Sequence, residues 1–323
     1  MRRRTATLAW ALLAMTAGLP ALSSAQERHA LIVTGAPGGE SFEATYATWE
    51  AALATILRDR LGFGEAQVTV LSGATTEARL QSTRENVRRE VARLRSALGQ
   101  HDLLLVVLIG HGNVDDGQAK FNLVGPDLTS TEWSELVRDL PGRLVLMNTT
   151  GGSFPFLGDL AAANRIVITA TDSTAQRYDT VFPEQLIAAL EDPAADLDKN
   201  GRVSVWELFA RTSHGVTQHY ERQGLLPTER ALLDDNGDGT GIESGGEGMD
   251  GGLARATYLE RDPAALTADP ELAELLARRR ALEEEAEQLK LRKPEMPAET
   301  WDREFERLMI ELARVSRRIR SRS

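Results

Sequence analysis

The sequence predicts an α/β protein: a mostly parallel sheet covered by helices on both faces, followed by a C-terminal pair of helices. Three observations predict it. Short apolar runs such as "HALIVTG", "DLLLVVLIGHG", "RLVLMNTTGG" and "NRIVITATD" recur along the first two-thirds of the chain. Stretches with apolar residues at helical spacing separate them. Runs apolar at every position suit parallel strands buried on both faces, whereas a half-exposed strand would alternate. After residue 262 the apolar residues settle into spacings of three and four, the seam of paired helices.

Taken in order, His29 to Gly39 reads as a strand running into a glycine-rich loop. Phe42, Tyr46, Trp49, Leu53, Leu57 and Leu61 mark the helix after it. "QVTVLSG" is a second strand, and Thr75 to Leu98 reads as a helix with Leu80, Val87, Val91, Leu94 and Leu98 along one side. The third strand is the seven-residue apolar run Leu103 to Ile109. Asn113 to Leu128 reads as a loop or small hairpin, and Thr131 to Leu140 as a helix. The fourth and fifth strands lead to a helix over Phe182 to Leu190. Repeated strand–helix–strand units of this kind build a doubly covered sheet. Its site lies beyond the carboxyl ends of the strands, where the composition turns from apolar to small and polar: Gly110-His111-Gly112 and Asn148-Thr149-Thr150-Gly151-Gly152. Residues 263–323 read as a helical hairpin, able to fold back on itself, to pack on the main domain or to pair with a second copy. Residues 26–262 form the main domain.

The N-terminus carries Arg2, Arg3 and Arg4, a short apolar stretch from Leu8 to Leu19, and Ser23 and Ala25 at the positions a signal peptidase reads. Residues 1–25 are therefore expected to be a signal peptide, and the protein to be exported to the periplasm or secreted. No later segment approaches twenty apolar residues, so no membrane span is expected in the mature chain. Of the 323 residues none is cysteine, which excludes disulfides and thiol chemistry alike. Removing 1–25 takes away three arginines and no acid, so the net charge moves from −11 to −14. Such a surface repels phosphate, which argues against nucleic acid as a partner, and attracts divalent cations.

A strand ending in Gly110-His111-Gly112 and a later strand ending in "MNTTGGSF" together resemble the histidine and cysteine strands of the caspase, legumain and gingipain superfamily of cysteine peptidases. "GAPGGESFEATYATWEAAL" and "ITATDSTAQRYDTVFPEQLIAAL" are similar to flanking stretches of legumain-like members, in the same order, over roughly 29–230. The resemblance implies a caspase-like three-layer fold. It makes His111 the match of the catalytic histidine, with Gly112 beside it. It places the missing cysteine at Thr149, or at Asn148 after a one-residue slip, with Ser153 just beyond. A threonine hydroxyl needs a general base within hydrogen-bond reach to attack an amide, whereas a thiol is partly ionised near neutral pH. The expectation is a pseudopeptidase binding a peptide or protein ligand at the sheet-end cleft. Two alternatives stand beside it: hydrolysis by Thr149, Thr150 or Ser153 with His111, and a scaffold acting through self-association of 263–323 as a homo-oligomer.

"DLDKNGRVSVWE", residues 196–207, has the spacing of an EF-hand calcium loop. Oxygen ligands fall at Asp196, Asp198, Asn200, the Arg202 carbonyl, Ser204 or its water, and bidentate Glu207, with Gly201 at the sharp turn. Six to eight hard oxygens suit Ca2+, which is the expected cofactor. Asp192-Pro193 breaks the helix that should enter such a loop, so the segment is EF-hand-like rather than a full helix–loop–helix. A second Asp/Gly-rich loop at 234–245 places Asp234, Asn236 and Asp238 at ligand positions but has Gly245 where a bidentate carboxylate is needed.

Overall fold

A computed structural model describes residues 26–74, 80–176, 178–293 and 296–322. The signal-peptide expectation falls on 1–25, outside the described residues. Seven strands form the main sheet: β1 (Arg28–Thr34), β2 (Val68–Ser72), β3 (Leu80–Gln81), β4 (Leu103–Ile109), β8 (Arg143–Asn148), β9 (Arg165–Thr169) and β10 (Leu232–Asp234). Three more, β5 (Gly112–Asp115), β6 (Gln118–Phe121) and β7 (Leu128–Thr129), form a small antiparallel sheet. The main sheet has the order β10-β9-β8-β4-β1-β2-β3. Its strands pair in parallel except β10, which runs antiparallel to β9.

Every residue of β1, β4 and β9 is buried, because alternate side chains enter different cores. Ile32, Val107 and Met147 pack beneath α1 (Glu40–Thr55), α5 (Phe182–Glu191) and α6 (Val205–Arg222). Leu31, Val106 and Leu146 pack on the other face beneath α2 (Arg84–Ala97), α3 (Ser130–Val137) and α4 (Pro155–Leu160). The result is a three-layer α/β architecture. Each of these large apolar side chains contributes roughly 1.5–3 kcal/mol by leaving water.

Three elements differ from the sequence reading. The helix expected from Thr75 starts at Arg84: Thr83 is extended and caps it by accepting from Asn86 N. Leu80, expected on the helix's apolar side, instead pairs with Leu71 in β3 and is 47% exposed. Residues 75–79 lie outside the described residues. The helix expected over 131–140 is shorter, closed at its start by a reciprocal Thr129–Glu132 capping box. The sequence reading contains neither α4 nor β10.

Beyond β10 come α7 (Gly252–Arg255), α8 (Pro263–Leu266), α9 (Pro270–Leu291) and α10 (Ala298–Arg320). The last two form an antiparallel pair around Leu282, Ala286, Leu289 and Leu308. Trp301 Nε1 donates to Leu289 O at 3.0 Å near the turn. At the open end Arg322 pairs with Glu271 at 2.8 Å. The seam is thus buried within one chain. Among the described residues, no helix is long and apolar enough to cross a membrane.

Buried Arg28 fastens the start of β1 to the segment between α7 and α8. Its guanidinium donates to Leu61 O and Gly62 O, both at 2.9 Å, and also to Leu259 O. Burial, more than its charged neighbours, lowers its pKa to about 10.

Candidate functional site

The strand ends bearing His111 and Thr149 are neighbours. β4 and β8 pair in register up to Leu108 and Asn148, and Thr149 N donates to Leu108 O at 3.0 Å. Gly110 leaves the sheet at φ 149°, a backbone conformation that favours glycine, and turns the chain into the β5–β6 hairpin. Gly112 then passes so close to the next strand end that a Cβ there would collide with Thr150 Oγ1 and the Gly151 carbonyl. Both glycines around His111 are thereby explained by geometry.

The imidazole of His111 is held on several sides. Nδ1 lies 2.8 Å from Asp179 Oδ1, and Nε2 lies 3.1 Å from the Pro37 carbonyl. A neutral ring carries one N–H and donates to only one of these acceptors; the cationic ring donates to both. Phe42 and Tyr46 of α1 meet the ring edge-on, with centroids 4.6 and 5.6 Å away. Burial, and secondarily the charge of Asp179, pushes the Tyr46 phenol well above its ordinary range.

The candidate hydroxyls face inward. Thr149 is wholly buried, and its Oγ1 donates to Leu108 O at 2.7 Å. Its carbonyl accepts from Thr180 Oγ1. Thr150 Oγ1 lies 2.8 Å from Asn148 Oδ1, to which it donates. Ser153 Oγ lies 3.0 Å from Thr171 Oγ1 and accepts from Thr171 N at 3.2 Å. Each hydroxyl therefore has a local partner, and none of these partners is His111. Asn148, the slipped alternative, is 1% exposed and accepts from Thr150 N.

Asp179 was missed by sequence reasoning. It sits in the loop between β9 and α5, far from His111 in sequence. The signal present was a carboxylate following a strand whose carboxyl end points to the same edge as His111.

The EF-hand-like loop brings its acids together. One ligand oxygen from each of Asp196, Asp198 and Glu207 lies within 4.8 Å of the others, so this triad could hold a metal ion. The Asp198 carboxyl is pushed up, first by burial and then by the charges of Glu207 and Asp196. Asn200 closes the turn: its N–H donates to Asp198 Oδ1 at 2.9 Å and its Oδ1 accepts from Arg202 N at 2.9 Å. Gly201 adopts φ 89°, and its N–H donates to Asp196 Oδ2 at 2.9 Å. Ser204 caps α6, exchanging hydrogen bonds with Glu207 in a capping box. A 3-10 turn, Pro193–Ala195, stands where a full entering helix would be.

The second loop is built differently. Asp234 accepts from Gly237 N at 3.0 Å and Gly239 N at 2.5 Å. Asn236 and Asp238 hydrogen-bond to each other, Asp238 N donating to Asn236 Oδ1 at 2.8 Å. Its closing carboxylate comes from outside the predicted twelve residues: Asp250 Oδ1 accepts from Asp235 N at 2.9 Å and Asn236 N at 3.2 Å. These carboxylates satisfy backbone donors. Among the described residues, they do not converge as the first loop's acids do.

No family model matches the chain, and no curated protein matches it. Among solved structures, the chain is similar to the crystal structure of protein GSU0716 from Geobacter sulfurreducens at 16% identity. That match covers 64% of this chain and 92% of the other, with a TM-score of 0.42.

Proposed function

We propose that the protein is an exported, calcium-binding pseudopeptidase of the caspase–legumain kind, which binds a peptide or protein at its strand-end cleft without cleaving it. One observation carries the reading. An imidazole stands at the end of β4, beside a strand end where the superfamily's sulfur would be, and each nearby hydroxyl is buried with a partner of its own. An alcohol so placed has no base to take its proton. The partly buried Phe42 ring, edge-on to His111, offers apolar contact to a bound chain. Calcium is supported by the all-oxygen donor set of residues 196–207 and by the excess of acidic over basic residues. Export rests on the composition of the first 25 residues.

The test is a mixed peptide library incubated with the purified protein and calcium, followed by mass spectrometry of bound and free fractions. Intact peptides retained by the protein, and lost with His111→Ala, support the reading. Turnover that disappears in Thr149→Ala, Ser153→Ala or His111→Ala would overturn it.

A further inference from the structure

Residues 170–181 join β9 to α5 and carry Asp179, and none of the described ones lies in a helix or strand. Such a segment keeps its path chiefly through bonds to its surroundings. Three consecutive residues at its end supply them, each to a different part of the fold. Asp179 faces His111 beyond the end of β4, and Thr180 Oγ1 donates to the Thr149 carbonyl beyond the end of β8. Val181 N donates to Glu229 Oε1 at 2.8 Å, in the connection between α6 and β10. Earlier in the segment, Gln176 bridges the same two neighbours. Its carbonyl accepts from Gly152 N at 3.0 Å, and its Nε2 donates to Thr228 Oγ1 at 3.4 Å.

Glu229 is 2% exposed. Besides Val181 N, its Oε1 accepts from the Tyr220 hydroxyl at 2.9 Å, and that hydroxyl accepts from Thr228 Oγ1 at 3.2 Å. Tyr220 belongs to the last turn of α6, so the carboxylate is set by a long helix. Burial pushes the Glu229 carboxyl up, against the bonds it accepts from Val181 and Tyr220. What it holds is the start of α5. Val181 is the N-cap of that helix, and its own side chain accepts no bond. Glu229 takes the N-cap N–H from a distant segment, as the glutamate of a capping box does from within a helix. Capping accounts for the bond, and the neighbours of Val181 give it a second consequence. Asp179 is two residues away, at most about 7 Å of chain, so fixing Val181 limits where the Asp179 carboxylate can reach.

We propose that Glu229 is a positioning residue for the strand-end cleft: by holding Val181, and through it Asp179, it fixes the direction His111 faces. This rests on the reading above only for what the cleft binds; the hold on His111 is a matter of geometry. The connection between α6 and β10, remote from His111 in sequence, thereby becomes part of the cleft.

Proton NMR of the full chain reads the hold directly, through the slowly exchanging Nδ1–H of His111. Glu229→Ala is expected to remove that resonance and to cut retention of a mixed peptide library roughly tenfold. Glu229→Gln keeps an oxygen for Val181 N and should keep both. Val216→Ala, which opens a void in the core beneath α6, lowers the urea midpoint while leaving resonance and retention in place. A resonance that survives Glu229→Ala, or is lost equally in Val216→Ala, overturns the proposal, as does a parent chain that lacks it. Should Glu229→Ala not fold, Tyr220→Phe takes away one bond to the carboxylate and should speed exchange of the Nδ1–H roughly tenfold. Unchanged exchange there overturns the positioning role. A parent that shows the resonance and retains no peptide removes the binding reading alone.

Discussion

His111 Nδ1 and Asp179 Oδ1 stand 2.8 Å apart, tying the end of β4 to the loop between β9 and α5. The side chains are 26% and 57% exposed, so the pair works largely in water. Exposed ion pairs of this kind contribute about 0–1 kcal/mol. The role of Asp179 is therefore orientation: it fixes which way the ring faces, with Nε2 toward Pro37. Asp179→Ala should leave the denaturant midpoint nearly unchanged. It should also abolish the slowly exchanging Nδ1–H proton resonance that His111→Ala removes. A resonance that persists in Asp179→Ala would show that the carboxylate does not hold the ring.

Introducing a sulfur at position 149 should not create peptidase chemistry. Thr149 is wholly buried and its hydroxyl donates to Leu108 O, so a cysteine there inherits a dry site with a carbonyl beside it. Burial disfavours the thiolate, and the thiolate is the nucleophile. Because the chain has no cysteine, Thr149→Cys introduces a single thiol. It should resist iodoacetamide in the native protein, label fully in denaturant, and cleave no peptide. Rapid native labelling accompanied by peptide turnover would reverse this account.

The parts of the fold legible in the sequence are those where one physical demand dominates. Leu103 to Ile109 had to be apolar throughout, because β4 lies mid-sheet with a core on either side. The three-residue β10 and two-residue β3 carry too few residues to show a period, and their placement is set by tertiary pairing alone. Leu80 misled because its helical spacing from Val87 is real, yet the extended Thr83 between them ends one element and begins another. In residues 196–207 the spacing of the acids is local, so the sequence alone could group Asp196, Asp198 and Glu207, a triad that could hold a metal ion. The His111–Asp179 contact joins distant segments and leaves no such pattern.

Glu207 should matter even without metal. Its Oε1 accepts from Leu197 N at 2.9 Å and Asp198 N at 3.2 Å, and its Oε2 accepts from Ser204 N at 2.8 Å. Removing the carboxylate strands these donors and opens the capping box. In chelator, Glu207→Ala should therefore cost about 2 kcal/mol. On the calcium reading proposed above, the loss should grow in calcium, since a protein that binds the ion only when folded gains about 2.7 kcal/mol at a hundredfold excess of ion over Kd. Urea denaturation in the two conditions measures both quantities. Identical stability of variant and parent in chelator would remove the structural role, and no calcium-dependent gain would remove the metallic one.

Stability should also fall as pH rises across the weakly acidic range, and Asp250 is the reason. Its carboxyl is pushed up to about 6, chiefly by burial and further by the charges of Asp234 and Asp235, despite the hydrogen bonds it accepts from Asp235 N and Asn236 N. In the unfolded chain an aspartate releases its proton near pH 3.9. Between about pH 4 and 6 the folded state thus holds a proton that the unfolded state has lost, and rising pH favours unfolding. The contribution is fully present below the unfolded pKa and is lost through the folded one. It is on the order of 2 kcal/mol after screening by solvent. Asp250→Asn keeps an oxygen to accept both N–H groups while removing the charge. In chelator, its urea midpoint should change less between pH 4 and 6 than that of the parent, and should exceed the parent's at pH 7. A variant with the parent's full pH dependence would place that titration elsewhere.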